Sequence, residues 1–159
     1  MILSTGMANL EEIDRAVEHL HKHNVSELEL LHCISGYPTP IKECNLSAID
    51  TMRKRYGVKV GFSDHSVNPI VVSRAVNEWN ASSIEFHLDL EGKGEEFKTG
   101  HCWLPHEIEK VILASKNINE IDGNGEKVAA SSEEFDRGWR ADPKDGLRPL
   151  LPTRKNLAE

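Results

Sequence analysis

Apolar positions along this chain switch repeatedly between the period of a strand and that of a helix. Met1 to Ser4 forms a short apolar run that Gly6 ends. Asn9 with Glu12 has the spacing of a capping box, and Leu10, Ile13, Val17 and Leu20 follow at helical spacing to about Asn24. Leu28 to Cys33 predicts a second strand, and Gly36, Pro38 and Pro40 a rigid loop after it. Asn45 is positioned to cap a helix carrying Leu46, Ile49 and Met52 and ending near Tyr56 and Gly57. Val58 to Phe62 is the third strand, and Asn68-Pro69 opens a helix through Val72, Ala75 and Val76 to about Trp79. Ser83 to Leu88 is the fourth strand, Asp89 to Trp103 a polar loop, and Pro105 the start of a helix with Ile108, Val111 and Ile112 inward. This strand–helix alternation predicts parallel βαβ units. From about Asn119 the pattern dissolves. Ser131 with Glu134 suits one short helix, and Asp142-Pro143, Gly146, Pro149 and Pro152 predict an extended tail.

Composition narrows the class. With 159 residues, 38% hydrophobic, and a formal charge of −7, the chain suits one globular domain. A full eight-stranded α/β barrel takes about 250 residues, so eight βα units do not fit. The acidic balance argues against nucleic acid as a partner. The longest apolar run, Val111 to Ala114, is too short to span a bilayer, and no signal-peptide pattern opens the chain. Three cysteines without framework spacing, Cys33, Cys44 and Cys102, read as reduced thiols of a cytoplasmic protein.

Parallel βα folds bind ligands at the C-terminal ends of their strands. All four such ends here are polar: Ser4-Thr5-Gly6-Met7, His32 to Pro38, Gly61 to Ser66, and Glu85 to Asp89. His65 and His87 end consecutive strands, about 5 Å apart if those strands pair. A single strand-end histidine is usually a capping or hydrogen-bonding residue; two on neighbouring strands can share one divalent metal with positions left for substrate. Tyr37, between Gly36 and Pro38, is either a turn-packing ring or a ligand-facing phenol, and Ser4 and Ser63 can simply bond nearby backbone. His19, His21 and His23 suit a solvated helix end, His32 a satisfied strand position, and His101 and His106 the flank of the fourth helix.

Four segments together resemble one family. Ile2 to Ala8 (ILSTGMA), Leu31 to Pro40 (LHCISGYPTP), Val60 to Ser66 (VGFSDHS) and Ile84 to His87 (IEFH) are similar, in order and spacing, to motifs of the sialic acid synthase (NeuB) family, which includes legionaminic and pseudaminic acid synthases. The likeness spans roughly residues 1 to 112. It implies the last four βα units of a TIM-type (β/α)8 barrel: a half-barrel over residues 1–118, with an irregular tail over 119–159. It implies condensation of phosphoenolpyruvate with an N-acetylated sugar aldehyde, N-acetylmannosamine or a relative, to a nonulosonic acid with release of phosphate. By motif, His65 and His87 match the ligands of a divalent metal, manganese by preference; Ser4 and Ser63 match phosphoenolpyruvate contacts; Tyr37 matches a residue facing the sugar. Three departures stand out. The first four barrel strands, which carry the family's proposed catalytic glutamate and phosphate-binding lysines, have no counterpart. Phe86 replaces a basic residue before His87, and Gly92 to Lys98 replaces the family's GPDH loop, where Glu95 or Glu96 is positioned to substitute for its aspartate. The family's C-terminal antifreeze-like domain is also missing. The chain alone is therefore expected to be incomplete, needing the missing barrel half or a second copy as a homo-oligomer. The rival expectation is a non-catalytic metal- or ligand-binding half-barrel that dimerises.

Overall fold

The computed structural model describes residues 1–157. The backbone groups into two compact units, Met1–Ile121 and Asp122–Glu159. In the first, β1 (Ile2–Ser4), β2 (Glu29–Cys33), β3 (Lys59–Asp64), β4 (Ile84–Leu88) and β5 (Cys102–Trp103) lie side by side in chain order, each pair parallel. The intervening helices are α1 (Leu10–Lys22), α2 (Ala48–Tyr56), α3 (Pro69–Asn77) and the single turn α4 (Glu95–Lys98); α5 (Pro105–Lys116) and α6 (Ile118–Asp122) follow β5. No helix among the described residues is long and apolar enough to cross a membrane.

The alternation of side chains in the strands sorts the sheet into two unlike faces. Leu30, Val60 and Phe62 point to one face, where they pack with Ile13 and Val17 of α1, Ile49 and Met52 of α2, and Val71 and Ala75 of α3. Thus α1, α2 and α3 cover the same face. A second cluster, Val72, Trp103, Ile108 and Val111, joins α3 and α5 over β5. The other face carries the alternate residues. Strand register aligns them in layers: Ser4, Leu31 and Gly61; then Cys33, Ser63 and Glu85; then His87 beside Cys102.

Local signals explain where the helices begin. Asn9 accepts from the Glu12 N–H at 3.0 Å while Glu12 accepts from the Asn9 N–H at 2.9 Å, a capping box that contributes about 1 kcal/mol. Asn68 accepts from the N–H groups of Ile70 and Val71, with Pro69 at the first helical position. Gly57 closes α2 in the left-handed region at φ +65°. Arg55 grips Asp14 through two nitrogens, at 2.7 and 2.5 Å, and so ties α2 to α1, with Tyr56 donating to the same carboxylate at 2.9 Å.

Several expectations need correction. Asn45 does not cap α2: the helix starts after Ser47, and Asn45 sits at φ +41°, accepting from the Ser47 hydroxyl. The loop from Asp89 to Trp103 contains α4 and β5, elements too short for a period to announce. Ile112 is exposed on α5 rather than inward. The short helix expected at Ser131 is a 3-10 turn, Ser131–Glu133, followed by a second, Arg137–Trp139, and the stretch from Asp142, expected to be extended, holds a helix α7 (Leu151–Leu157). Asp142 accounts for that helix by accepting from the Leu151 N–H at 2.8 Å, and from that of Lys144 at 2.9 Å. Pro152 therefore opens a helix instead of extending a coil.

A Cβ on Gly61 would stand 2.2 Å from the Ser83 hydroxyl, 2.7 Å from Leu31 and 2.8 Å from the Ser83 carbonyl oxygen. Gly61→Val is expected to cost about 3 kcal/mol or more, seen as a lower urea midpoint; an unchanged midpoint would show that the sheet yields there. The hydrogen bond from Arg55, helped by Tyr56, brings the Asp14 carboxyl down to about 2, from 3.8. A lowered folded-state pKa adds stability in full above the unfolded value and loses it as pH falls through the folded one. Asp14→Asn is therefore expected to be less stable at pH 7, with the deficit closing between about pH 4 and 2; a deficit unchanged at pH 2 in chemical unfolding would contradict this assignment.

Candidate active site

The C-terminal ends of β2, β3 and β4 bring one aromatic cluster together. Tyr37 lies centrally, its ring 4.4 Å from that of His65, 5.0 Å from His101 and 5.9 Å from His87. His65 and His87 are 5.3 Å apart and inclined at 63°; His87 and His101 are 5.0 Å apart. His65 and His101 are buried and the Tyr37 ring is half exposed, so the cluster has a packed floor and an open rim.

The turn that carries His65 is built by Asp64. Its buried carboxylate accepts from the Ser66 N–H and hydroxyl at 3.0 and 2.6 Å, the Val67 N–H at 3.2 Å and the Trp103 indole at 2.9 Å. This bond to Val67 helps hold a β-branched residue at φ +50°, which costs about 1–2 kcal/mol. The loop bearing Tyr37 is tied to the same turn, since the Thr39 N–H donates to the His65 carbonyl at 2.9 Å.

Hydrogen-bond partners define which nitrogen each histidine leaves free. A carbonyl oxygen only accepts, so His65 Nδ1, 2.8 Å from the Ile34 oxygen, carries the proton and Nε2 keeps its lone pair. Ser63 lies 3.4 Å from that Nε2 but gives its hydrogen to Glu85 at 2.8 Å, leaving the lone pair unclaimed. His87 Nδ1 faces Glu96 Oε2 at 3.0 Å, which likewise leaves Nε2 open. Two imidazoles on adjacent strands, each steadied through Nδ1 by a carbonyl or carboxylate, form a donor set that suits a divalent metal.

The loop in place of the GPDH segment is organised by Asp89. One of its carboxylate oxygens accepts from the N–H groups of Glu91 and Gly92 at 2.9 and 2.6 Å, and the other from Gly94 at 2.8 Å. These bonds lower the Asp89 pKa, and α4 follows directly, packed beside β5. Of the two candidate glutamates, Glu96 reaches His87, whose hydrogen bond and charge hold the carboxyl below its ordinary range. Glu95 instead pairs with Lys98.

Ser63, Tyr37, His65 and His87 thus converge, while Ser4 stands on the edge strand, two strands from Ser63 and about 10 Å across the sheet. His32 is the satisfied strand residue expected, bonded to the Cys44 carbonyl at 2.8 Å and pushed down by burial. Three groups escaped the sequence reading. Glu85 receives the Ser63 hydroxyl, and Cys102 lies beside Glu96 with its thiol pushed up by burial and that carboxylate. His101, read as a helix flank, is buried against His87 and Tyr37, and burial followed by the charge of His87 pushes its pKa down. The one local signal for it in the sequence is the turn residue Gly100 just before it.

Known proteins resemble this chain in sequence and in fold. An uncharacterized protein of Methanocaldococcus jannaschii is 36% identical over 135 residues, 84% of this chain and 39% of that one. N,N'-diacetyllegionaminic acid synthase of Campylobacter jejuni is 36% identical over 138 residues, 84% of this chain and 40% of that one. The crystal structure of the N-acetylneuraminic acid (sialic acid) synthetase of Leptospira borgpetersenii, in complex with citrate, superposes with a TM-score of 0.67 at 34% identity, over 85% of this chain and 47% of that one. The chain thus spans about two fifths of the length of the curated relatives it matches. The NeuB family matches residues 1–127, and the chain belongs to that family.

Proposed function

We propose that this chain is half of the barrel of a nonulosonic acid synthase, an enzyme that condenses phosphoenolpyruvate with an N-acetylated sugar aldehyde and releases phosphate. The observation that carries this reading is the convergence of Tyr37, His65 and His87 at the C-terminal ends of a parallel sheet wound in one direction. The packing of α1, α2 and α3 on one face, with a polar opposite face, suits the wall of a (β/α)8 barrel whose interior is that opposite face. The remaining strands, with a catalytic base and the phosphate-holding lysines, would come from another segment or a second copy. We assign the reaction to the cytoplasm, where three free thiols persist.

His65 and His87 offer their Nε2 lone pairs to one divalent ion, manganese in this reading. Bound there, such an ion supplies Lewis-acid polarisation of the aldehyde oxygen. Glu96 holds the His87 ring through Nδ1, and the Ile34 carbonyl holds His65. Ser63, already directed by Glu85, presents its oxygen to the same space and orients the phosphoenolpyruvate end, with Ser4 further along the face. The half-exposed Tyr37 ring borders the sugar end. Carbon 3 of phosphoenolpyruvate then bonds to the aldehyde carbon, water adds at carbon 2, and the C–O bond to phosphate breaks. These residues contribute orientation, which lowers the barrier by holding the reactants at attack distance.

Manganese titration of the 159-residue chain, followed by electron paramagnetic resonance, tests the pair. His65→Ala and His87→Ala are each expected to weaken binding at least about a hundredfold while keeping the far-ultraviolet spectrum of the folded chain. Tight manganese binding retained in both variants would refute the ligand assignment. A complete barrel carrying this chain is expected to release phosphate from phosphoenolpyruvate only when an N-acetylated amino-sugar is present, and release without acceptor would contradict the condensation.

A further inference from the structure

We propose that the face of His87 turned away from His65 forms a second, thiophilic cation site of the zinc class, built from His87, Glu96, His101 and Cys102. One donor atom from each of the four lies within 4.8 Å of the others. Two contacts are tighter: His87 Nδ1 to Glu96 Oε2 at 3.0 Å, and Cys102 Sγ to the same oxygen at 3.9 Å. Tetrahedral zinc, with bonds of about 2.0–2.3 Å, requires donors about 3.4–3.6 Å apart, so closing the set needs shifts of about an ångström.

The surroundings are those of a built site. His101 is 7% exposed and Cys102 5%. The Thr99 hydroxyl gives its hydrogen to the Glu96 carbonyl at 2.8 Å, so toward His101 Nδ1, at 2.9 Å, it can only accept. That bond places the His101 proton on Nδ1 and leaves Nε2 as a donor to metal, as a hydrogen bond to the other ring nitrogen does for metal-ligating histidines. Two imidazoles, a carboxylate and a thiol favour zinc or cobalt over manganese, which takes oxygen-rich sets. Four protein ligands close the sphere, so this ion is held and not catalytic. The site takes His87 through Nδ1, which puts the ring proton on Nε2, so it competes with the manganese pair for His87 and does not rest on the synthase reading.

Cobalt and zinc added to the 159-residue chain test it. Cobalt is expected to bind one to one with a thiolate-to-cobalt charge-transfer band, a readout on the unaltered chain that needs no variant to fold. Cys102→Ser is expected to abolish the band. Zinc affinity should fall at least about tenfold in Cys102→Ser and His101→Ala, and less than about twofold in His65→Ala. Cobalt binding without the band, or zinc binding lost in His65→Ala and unchanged in Cys102→Ser, would overturn the proposal and leave the His65–His87 pair standing. No cobalt binding at all would overturn it too, and failure of the manganese titration alone would count only against the pair.

Discussion

A carboxylate taken wholly out of water is tolerated only when its oxygens are saturated with donors, and Asp64 meets that demand with four. The donors come from two directions. Ser66 and Val67 belong to the turn just after β3, and Trp103 belongs to β5, 39 positions further on. One group therefore welds the edge of the sheet to the segment that presents His65. Trp103 also sits in the apolar cluster under α3 and α5, so the stability of those helices is transmitted to the position of the imidazole.

The sheet obeys a second constraint, the separation of its faces. Every helix from α1 to α3 lies over Leu30, Val60 and Phe62, which leaves the alternate positions for chemistry. They are not uniform. Toward the N-terminal ends of the strands the face is closed tightly: Glu29 accepts from both Ser82 and Ser83 at 2.6 Å, and the Gly61 position is filled from both sides by Leu31 and Ser83. Toward the C-terminal ends it opens into the histidines. A packed lower layer beneath a polar rim is the arrangement that lets a βα scaffold vary its chemistry without losing its core.

Much of this was legible from the residues. The Asn9 box, the Asn68-Pro69 start and the Gly57 stop are local signals that depend on side chains within one turn, and each appears where the pattern put it. The strand-end histidines were legible because parallel pairing turns sequence spacing into lateral spacing, and His65 and His87 do lie side by side. What escaped depended on distant partners. Asn45 looked like a cap but adopts a left-handed conformation, and α2 starts three residues later. The helix α7 exists where Asp142, nine positions upstream, satisfies its first N–H. His101 has neighbours, Tyr37 and His87, that no period connects to it; only the Asp89-centred loop, folding Leu90 to Gly94 around one carboxylate, returns the chain to the rim.

The indole of Trp103 gives the molecule an optical handle. It is one of three tryptophans, and at 2% exposure it is shielded from water while Trp139 is open to it. Its N–H is bonded to a carboxylate adjacent in sequence to His65. Indole emission is sensitive to charge and to the hydrogen bond at its nitrogen, so a rearrangement at the histidine rim that pulls on Asp64 should register as a spectral change in a residue that never touches ligand. A chain with Trp79 and Trp139 replaced by phenylalanine would report occupancy of the rim through the light of its remaining tryptophan, without label or cofactor.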